Sequence, residues 1–406
     1  MGVGRQADAL PTYNFSHPPG RSVPDVDWAL QNCDRELVER YMKYRGEVDT
    51  PGDELADFII RDKKTGWALF DQACTRGIGS INEPPEALVN FFEREKVPDW
   101  VNFDQIERAC NLMWRTPDVA RTAFGMGSMV ATYIIVPGTV ALDAAGEQIR
   151  RAENRAVETA TWAFNAMKPG ALKPFGIGYQ KTVRVRVIHA FARRQIARYN
   201  TWDSEFLGAP INQTMQGVAI SFIFTLAMLD AARKFGIVYS RREIDDIFAY
   251  WRYLGYLQGT PEEILPKNVE EARALNKVMW CVEGYADDAS NRLIRSFFEH
   301  TPKLDQAAIK NLPKYAQKSM TPEKFIGMKY AIFRYIWGNE RADRYKLPDI
   351  KRDNALRIMA CMNFLRDQYR KHFRPGSFST EKTRAFLDSE LQKQYQITGN
   401  SGAMLH

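Results

Sequence analysis

Apolar residues recur at helical spacing along most of the chain. In PPEALVNFFEREKV, two prolines suited to a helix start precede Leu88, Phe91, Phe92 and Val97, which fall near one face of a 3.6-residue period. SRREIDDIFAYWRYLGYLQG opens at Ser240, a residue type that caps helix N-termini, and closes at Gly259, the type that ends helices. TPEEILP repeats that grammar on a shorter scale, with Thr260 as cap and Pro266 as stop. SMTPEKFIGMKYAIFRYIWG reads as a further capped amphipathic helix. Alternating strand-type runs bounded by Asn-Gly or Asp-Gly turns are not found. The pattern predicts an all-α fold.

Two stretches break the amphipathic pattern because they are apolar nearly all round. FGMGSMVATYIIVPGTVAL carries no charge between Arg121 and Asp143, and FLGAPINQTMQGVAISFIFTLAML carries none between Glu205 and Asp230. Both approach the roughly 20 residues that a bilayer span needs. Pro137 and several glycines interrupt the first, and Asn212, Gln213, Thr214 and Gln216 interrupt the second. Central helices buried on all sides fit better than membrane spans, so no transmembrane segment is expected. Helices of this kind can also wall an apolar pocket.

Composition narrows the class. The chain has 406 residues, 45% hydrophobic and 26% charged, with a formal net charge of +7. That is ordinary globular composition, and +7 over so large a surface suits solubility more than a nucleic-acid partner. The five cysteines, at 33, 74, 110, 281 and 361, are odd in number, widely spaced and without a C-x-x-C pair. Buried free thiols in a reducing compartment are expected, and no disulfide framework or zinc ribbon. The opening residues MGVGRQADALPTYNFSHPPGRSVPD contain no apolar signal core, so a cytoplasmic protein is expected. The organisation reads as an extended arm over 1–25, one helical domain over 26–395 and a flexible tail over 396–406.

Candidate chemistry centres on TVRVRVIHAFARRQIARY, residues 182–199. It holds His189, one of only five histidines in the chain. On a helix, His189 shares its face with Val185, Arg186, Ala192 and Arg193. Three readings remain open: a core histidine satisfied by its neighbours, a nucleic-acid contact by the arginine row, and a ligand to a metal carried in an anionic cofactor. The arginine row lacks interleaved aromatics, and no basic stripe of comparable density occurs elsewhere, so nucleic acid is not an expected partner. The other histidines, His17, His300, His372 and His406, form no H-x-x-x-H or H-E-x-x-H pattern. A bare metal site needs two or three protein ligands, whereas a porphyrin brings four donors of its own, so a lone histidine favours haem over a bare ion. Upstream, IRRAENRAVETATWAFNAM places Arg155, Glu158 and Thr159 on one helical face, either as an intrahelical ion pair or as a polar cluster over a cofactor. Thirty residues separate Thr159 from His189, and the turn-rich MKPGALKPFGIGY lies between them. That is enough chain for two helices to face one another.

Four stretches in order carry a resemblance to the rubber-oxygenase catalytic domain family, which includes the bacterial latex clearing proteins and a fungal ER-bound oxygenase. They are the R-x-x-x-T cluster at Arg155 and Thr159, TVRVRVIHAFARR around His189, INQTMQGVAISFIFTLAMLDAARKFGI, and YWRYLGYLQGTPEEILP. The resemblance is good over roughly residues 80–300 and looser beyond. It implies an all-α fold that elaborates a globin-like core around a non-covalent haem b. His189 would be the proximal iron ligand, and Arg155 and Thr159 would lie on the haem's other face, near the oxygen site; beside the resemblance, the residue pattern offers Arg186 and Arg193 to the cofactor's anionic groups and adds Glu158 to Arg155 and Thr159 as a catalytic candidate. Latex clearing proteins often carry lysine three residues after that arginine. This chain has Glu158 there, which implies a base or an ion-pair partner of Arg155 or Arg151. The implied activity is dioxygen-dependent oxidation or cleavage of a small, apolar, unsaturated, isoprenoid-like substrate, with an electron donor as a further partner. A haem-binding sensor or carrier without turnover, or a helical interaction module without haem, are the competing readings.

Overall fold

Capping side chains mark where helices begin in the computed structural model, which describes residues 25–144, 148–198, 202–283, 287–310, 312, 314–374 and 379–398. Ser240 accepts from the Glu243 amide while the Glu243 carboxylate accepts from the Ser240 amide, and this reciprocal capping box starts the Arg241–Leu257 helix. Thr321 caps Pro322–Trp337, and Asn268 caps Val269–Val282. Gly259, just past the end of Arg241–Leu257, sits at φ 84°, where glycine alone is unstrained. The described residues form helices and turns with no strand, so the fold is all-α, as the hydrophobic pattern predicts.

Some boundaries differ. TPEEILP makes only one 3₁₀ turn, Glu262–Ile264, because the span between its cap and its proline is too short to nucleate an α-helix. The Glu86–Phe92 helix tightens into a 3₁₀ turn at Glu93–Glu95 before residue 97 is reached. The last helix runs Thr380–Thr398, past the start of the expected tail at 396. The expected arm falls outside the described residues up to 24, and so does the remainder of the tail. Cys361 is exposed and Cys33 half-buried rather than buried, and the free thiols of Cys33 and Cys281 share a hydrogen bond at 3.9 Å.

The two uncharged stretches become the middle of the protein. One forms the helical run 117–132 and the other the Gln213–Lys234 helix, and each widens into π-helical turns, at Ala123–Met129 and Ala219–Leu226. Thr225 Oγ1 donates to the Ile220 carbonyl, five residues back, at 2.6 Å. The two helices touch at Gly127, where a Cβ would stand 2.8 Å from the Ala231 Cβ and 3.0 Å from the Ala227 carbonyl. Gln213–Lys234 is long and apolar enough to cross a membrane, but 78% of its most apolar window is buried inside the protein, as a central helix requires. One apolar cluster links elements from Ala29 to Leu391 around this centre.

Two long helices, Gln148–Ala166 and Ile177–Arg198, pack against each other beside that centre. The turn between them lets the second helix return along the first. Trp162 Nε1 donates to Thr182 Oγ1 at 3.3 Å across their interface. The Trp162 ring also meets Phe224 at 5.4 Å between centroids, and Phe224 stacks on Trp251 at 5.0 Å. The central helix is thereby tied to the helix that carries Arg155 and Thr159.

Candidate functional site

His189 lies midway along Ile177–Arg198, and the structure brings Arg155 of the opposing helix into electrostatic range of it. The residue is half-buried, yet its ring is enclosed densely enough to perturb its acidity. Burial, and then the positive charges of Arg193 and Arg155, lower its pKa to about 4, against weaker opposing effects of Asp49 and Gln216. The imidazole is therefore neutral at physiological pH, the state in which a ring nitrogen can donate to a metal. Its Nδ1 is buried and has no hydrogen-bond partner. Gln216, 4% exposed, presents its side-chain amide beside the ring, and the Gln216 Nε2 is likewise buried without a partner. The Gln216 side chain interacts with the imidazole, so each of these polar groups has the other as its nearest available partner.

The polar quartet that interrupts the second apolar stretch now separates by role. Asn212 caps the Gln213–Val218 segment by accepting from the Met215 amide, Thr214 donates to Asn212, and Gln213 donates to the Gly259 carbonyl at 3.3 Å. Gln216 is the one turned to His189.

Arg186 and Arg193 face carboxylates. Both are almost fully buried and their charges are already met. The Arg186 Nε and Nη2 each donate to Asp49 at 2.7 Å, and its Nη1 donates to the Phe91 carbonyl at 3.1 Å. The Arg193 Nε donates to Asp53 at 2.7 Å. Burial raises the Asp49 pKa, but Arg186 and Arg193 more than offset this and hold the carboxyl below its usual value. A guanidinium this deeply buried needs a carboxylate beside it, and these two find theirs on the helix that begins at Thr50 and in the residue preceding it. These pairs anchor the histidine helix.

Two glycines make room for that anchor. A Cβ at Gly52 would stand 2.3 Å from Asp49 Oδ2, and one at Gly259 would stand 2.5 Å from Arg186 Nε. Gly259 combines this with its positive φ. A Gly259→Ala variant is expected to lose about 2–4 kcal/mol of stability through backbone strain and a displaced ion pair, read by denaturant unfolding. A loss within about 0.5 kcal/mol would remove this role.

On the opposing helix, Arg155 is exposed while Glu158 and Thr159 are half-buried. The charge of Arg155 also reaches Tyr133, whose phenol burial pushes up to about 12 and Arg155 partly restrains. The side chain of Arg151 lies outside the described residues. Among the described residues, no group of three or more His, Cys, Asp or Glu side chains is arranged to hold a metal ion.

Sequence reasoning missed Asp49, Asp53, Tyr133 and Gln216. Gln216 carried a signal: an amide in a run that is otherwise apolar has to face something. Asp49 and Asp53 carried none, because partners far apart in sequence leave no local pattern.

The family model for the ER-bound oxygenase mpaB/B'/rubber oxygenase catalytic domain matches residues 114–367, more than half the chain. A solved structure of the latex clearing protein LCP in its closed state superposes with a TM-score of 0.61 at 17% identity, covering 88% of this chain and 91% of that one. At that identity the likeness is one of fold. No curated protein matches the chain in sequence.

Proposed function

The chain belongs to the family of ER-bound and rubber oxygenase catalytic domains, an oxygenase family, and from that premise we propose that it is a haem b-dependent oxygenase acting on a small, apolar, unsaturated, isoprenoid-like substrate. The observation that carries the cofactor reading is His189: a single neutral imidazole on the helix packed against the one that bears Arg155. These residues fit a haem because a single imidazole suffices for a metal whose remaining in-plane donors come with it. His189 would hold the group, and when bound the group supplies an iron able to activate dioxygen.

The chain's own residues do the rest. Gln216 orients the imidazole: with its carbonyl oxygen turned to the ring it would accept from Nδ1–H, which would leave Nε2 to hold the metal. Arg155 places positive charge where negative charge develops on oxygen, and the Thr159 hydroxyl, one turn on, offers a donor to the same region. Glu158, half-buried on the same helix, would serve as a base or pair with Arg155. The apolar segments 125–142 and 217–229, with Phe222, Ile223 and Leu226 buried, enclose the apolar substrate and exclude water. The reading includes action in the cytoplasm and an electron donor for the iron.

The test is a spectrum of the purified protein, oxidised and reduced, with a pyridine haemochrome assay and oxygen uptake in the presence of unsaturated terpenoids. Haem b with oxygen uptake matched to product supports the proposal. Haem without uptake favours the sensor or carrier, and no haem after supplementation favours the interaction module. Within the holoprotein, Gln216→Leu is expected to release haem about 10–100-fold faster. Gln216→Glu, which keeps an acceptor at the same place, should retain haem and lower the iron's reduction potential. Equal haem-loss rates in all three proteins would remove Gln216 from the site.

A further inference from the structure

The Asp353–Phe373 helix is held to the body by one face only. Asn363 donates to the Phe235 carbonyl at 3.1 Å, Asp367 pairs with the buried Arg115 at 3.0 Å, and Lys371 donates to the Val238 carbonyl at 3.1 Å. The backbone approaches so closely that a Cβ at Gly236 would stand 2.1 Å from the Ala360 carbonyl. The helix is thus firmly seated, and its outward face is not exposed for lack of a seat.

That outward face is apolar along its length. Ile358, Met362, Leu365, Tyr369 and Phe373 recur at helical spacing, and Met362, Leu365 and Phe373 are 65%, 66% and 74% exposed. A continuous apolar stripe on an otherwise ordinary surface marks an interaction site. Its edges are basic. Arg357 borders one side and Arg366 and Arg370 the other, with Arg374 at the end. Between Leu356 and Arg374 the one carboxylate is Asp367, and it is buried in its pair with Arg115.

We propose that this helix is a membrane-docking face, which lies in the interface of an anionic bilayer with the stripe among the acyl chains and the arginines among the headgroups. Charge complementarity selects the occupant. Two copies meeting through this helix would press its arginine edges together, with one exposed carboxylate on the helix, Asp353 in the first turn, to answer them. A lipid surface supplies the opposite charge and needs no shape match to the stripe. The cytoplasmic leaflet is the anionic one, and cationic side chains near it are attracted within a Debye length. The inference stands apart from the haem reading, and its test reads no haem.

The experiment is sedimentation of the full chain with vesicles of phosphatidylcholine alone and of phosphatidylcholine with phosphatidylserine, at low and physiological salt. The chain should pellet with the mixed vesicles, less so as salt rises, and only weakly with phosphatidylcholine. The double variant Leu365→Glu/Phe373→Glu should reduce binding about tenfold or more, and Arg366→Glu/Arg374→Glu likewise. All four residues are exposed, so thermal melts should match the parent. Absence of pelleting by the parent, or equal pelleting by parent and variants, overturns the proposal. So does a concentration-dependent dimer in sedimentation velocity that Leu365→Glu/Phe373→Glu abolishes without any vesicle binding, which would assign the face to a second copy.

Discussion

Replacing His189 with glycine is expected to abolish the Soret absorption of the purified holoprotein, and added imidazole is expected to restore it. The argument rests on scarcity. The other histidines, His17, His300, His372 and His406, lie outside the two facing helices, so removal of this imidazole leaves the metal without its proposed donor. The ring is half-buried, so the substitution leaves a pocket that a free imidazole can enter. Rescue by imidazole separates a ligand from a packing residue, because a packing defect would not return the band. A wild-type spectrum retained by His189→Gly would remove His189 as the ligand. In the haem-free protein the same substitution has a pH signature. The folded pKa of about 4 lies below the ordinary 6.5, so the unfolded chain binds the proton more readily. The neutral ring's contribution to stability is complete above pH 6.5 and is lost as pH falls toward 4. The parent should show that slope in urea melts between those pH values, and the glycine variant should lack that part of it.

Asp49→Ala is expected to destabilise the fold by about 3–5 kcal/mol, because it leaves the buried Arg186 charge without its partner. Arg186 is 2% exposed, and two of its nitrogens donate to this carboxylate. Water cannot replace what is lost there. Asp49→Asn keeps an acceptor and should cost less, and the pair Asp49→Asn/Arg186→Gln should recover part of the loss, since it removes both charges. Urea unfolding of the three variants decides the matter. A cost below about 1 kcal/mol for Asp49→Ala would show that Arg186 finds other solvation. Acid should mimic the mutation. The Asp49 carboxyl is held below its usual 3.8, so its stabilising contribution is present above that pH and is lost as pH falls through the lowered value.

The architecture around the site could be read from the sequence where the information is local. Ser240 caps its helix as its position predicts, and the two uncharged stretches are central because an all-round apolar helix has no other stable place in water. The opposition of the Arg155 helix to the His189 helix followed from thirty residues and a turn-rich connection. What the sequence could not tell lies across space. Helical spacing showed that Arg186 and Arg193 share a face with His189, but not that Asp49 and Asp53 stand against that face. The arginines looked like open cations because their partners lie more than a hundred residues away. The short TPEEILP segment carried helix punctuation with too little helix between the marks. The widened turns at Ala123–Met129 and Ala219–Leu226 were invisible because hydrophobicity without a polar side has no phase to read.

Those widened turns also act as a rotary setting. A π turn holds more residues than an α turn, so tightening one by a single residue would swing everything beyond it by roughly 100° about the helix axis. In the Gln213–Lys234 helix, Gln216 lies before the wide turn, and Asp230 and Arg233 lie after it. The surplus residue therefore fixes the bearing at which the amide meets His189 relative to the charges at the far end. A one-residue deletion within Ala219–Leu226 would cost little length but would turn one end of the central helix away from its neighbours.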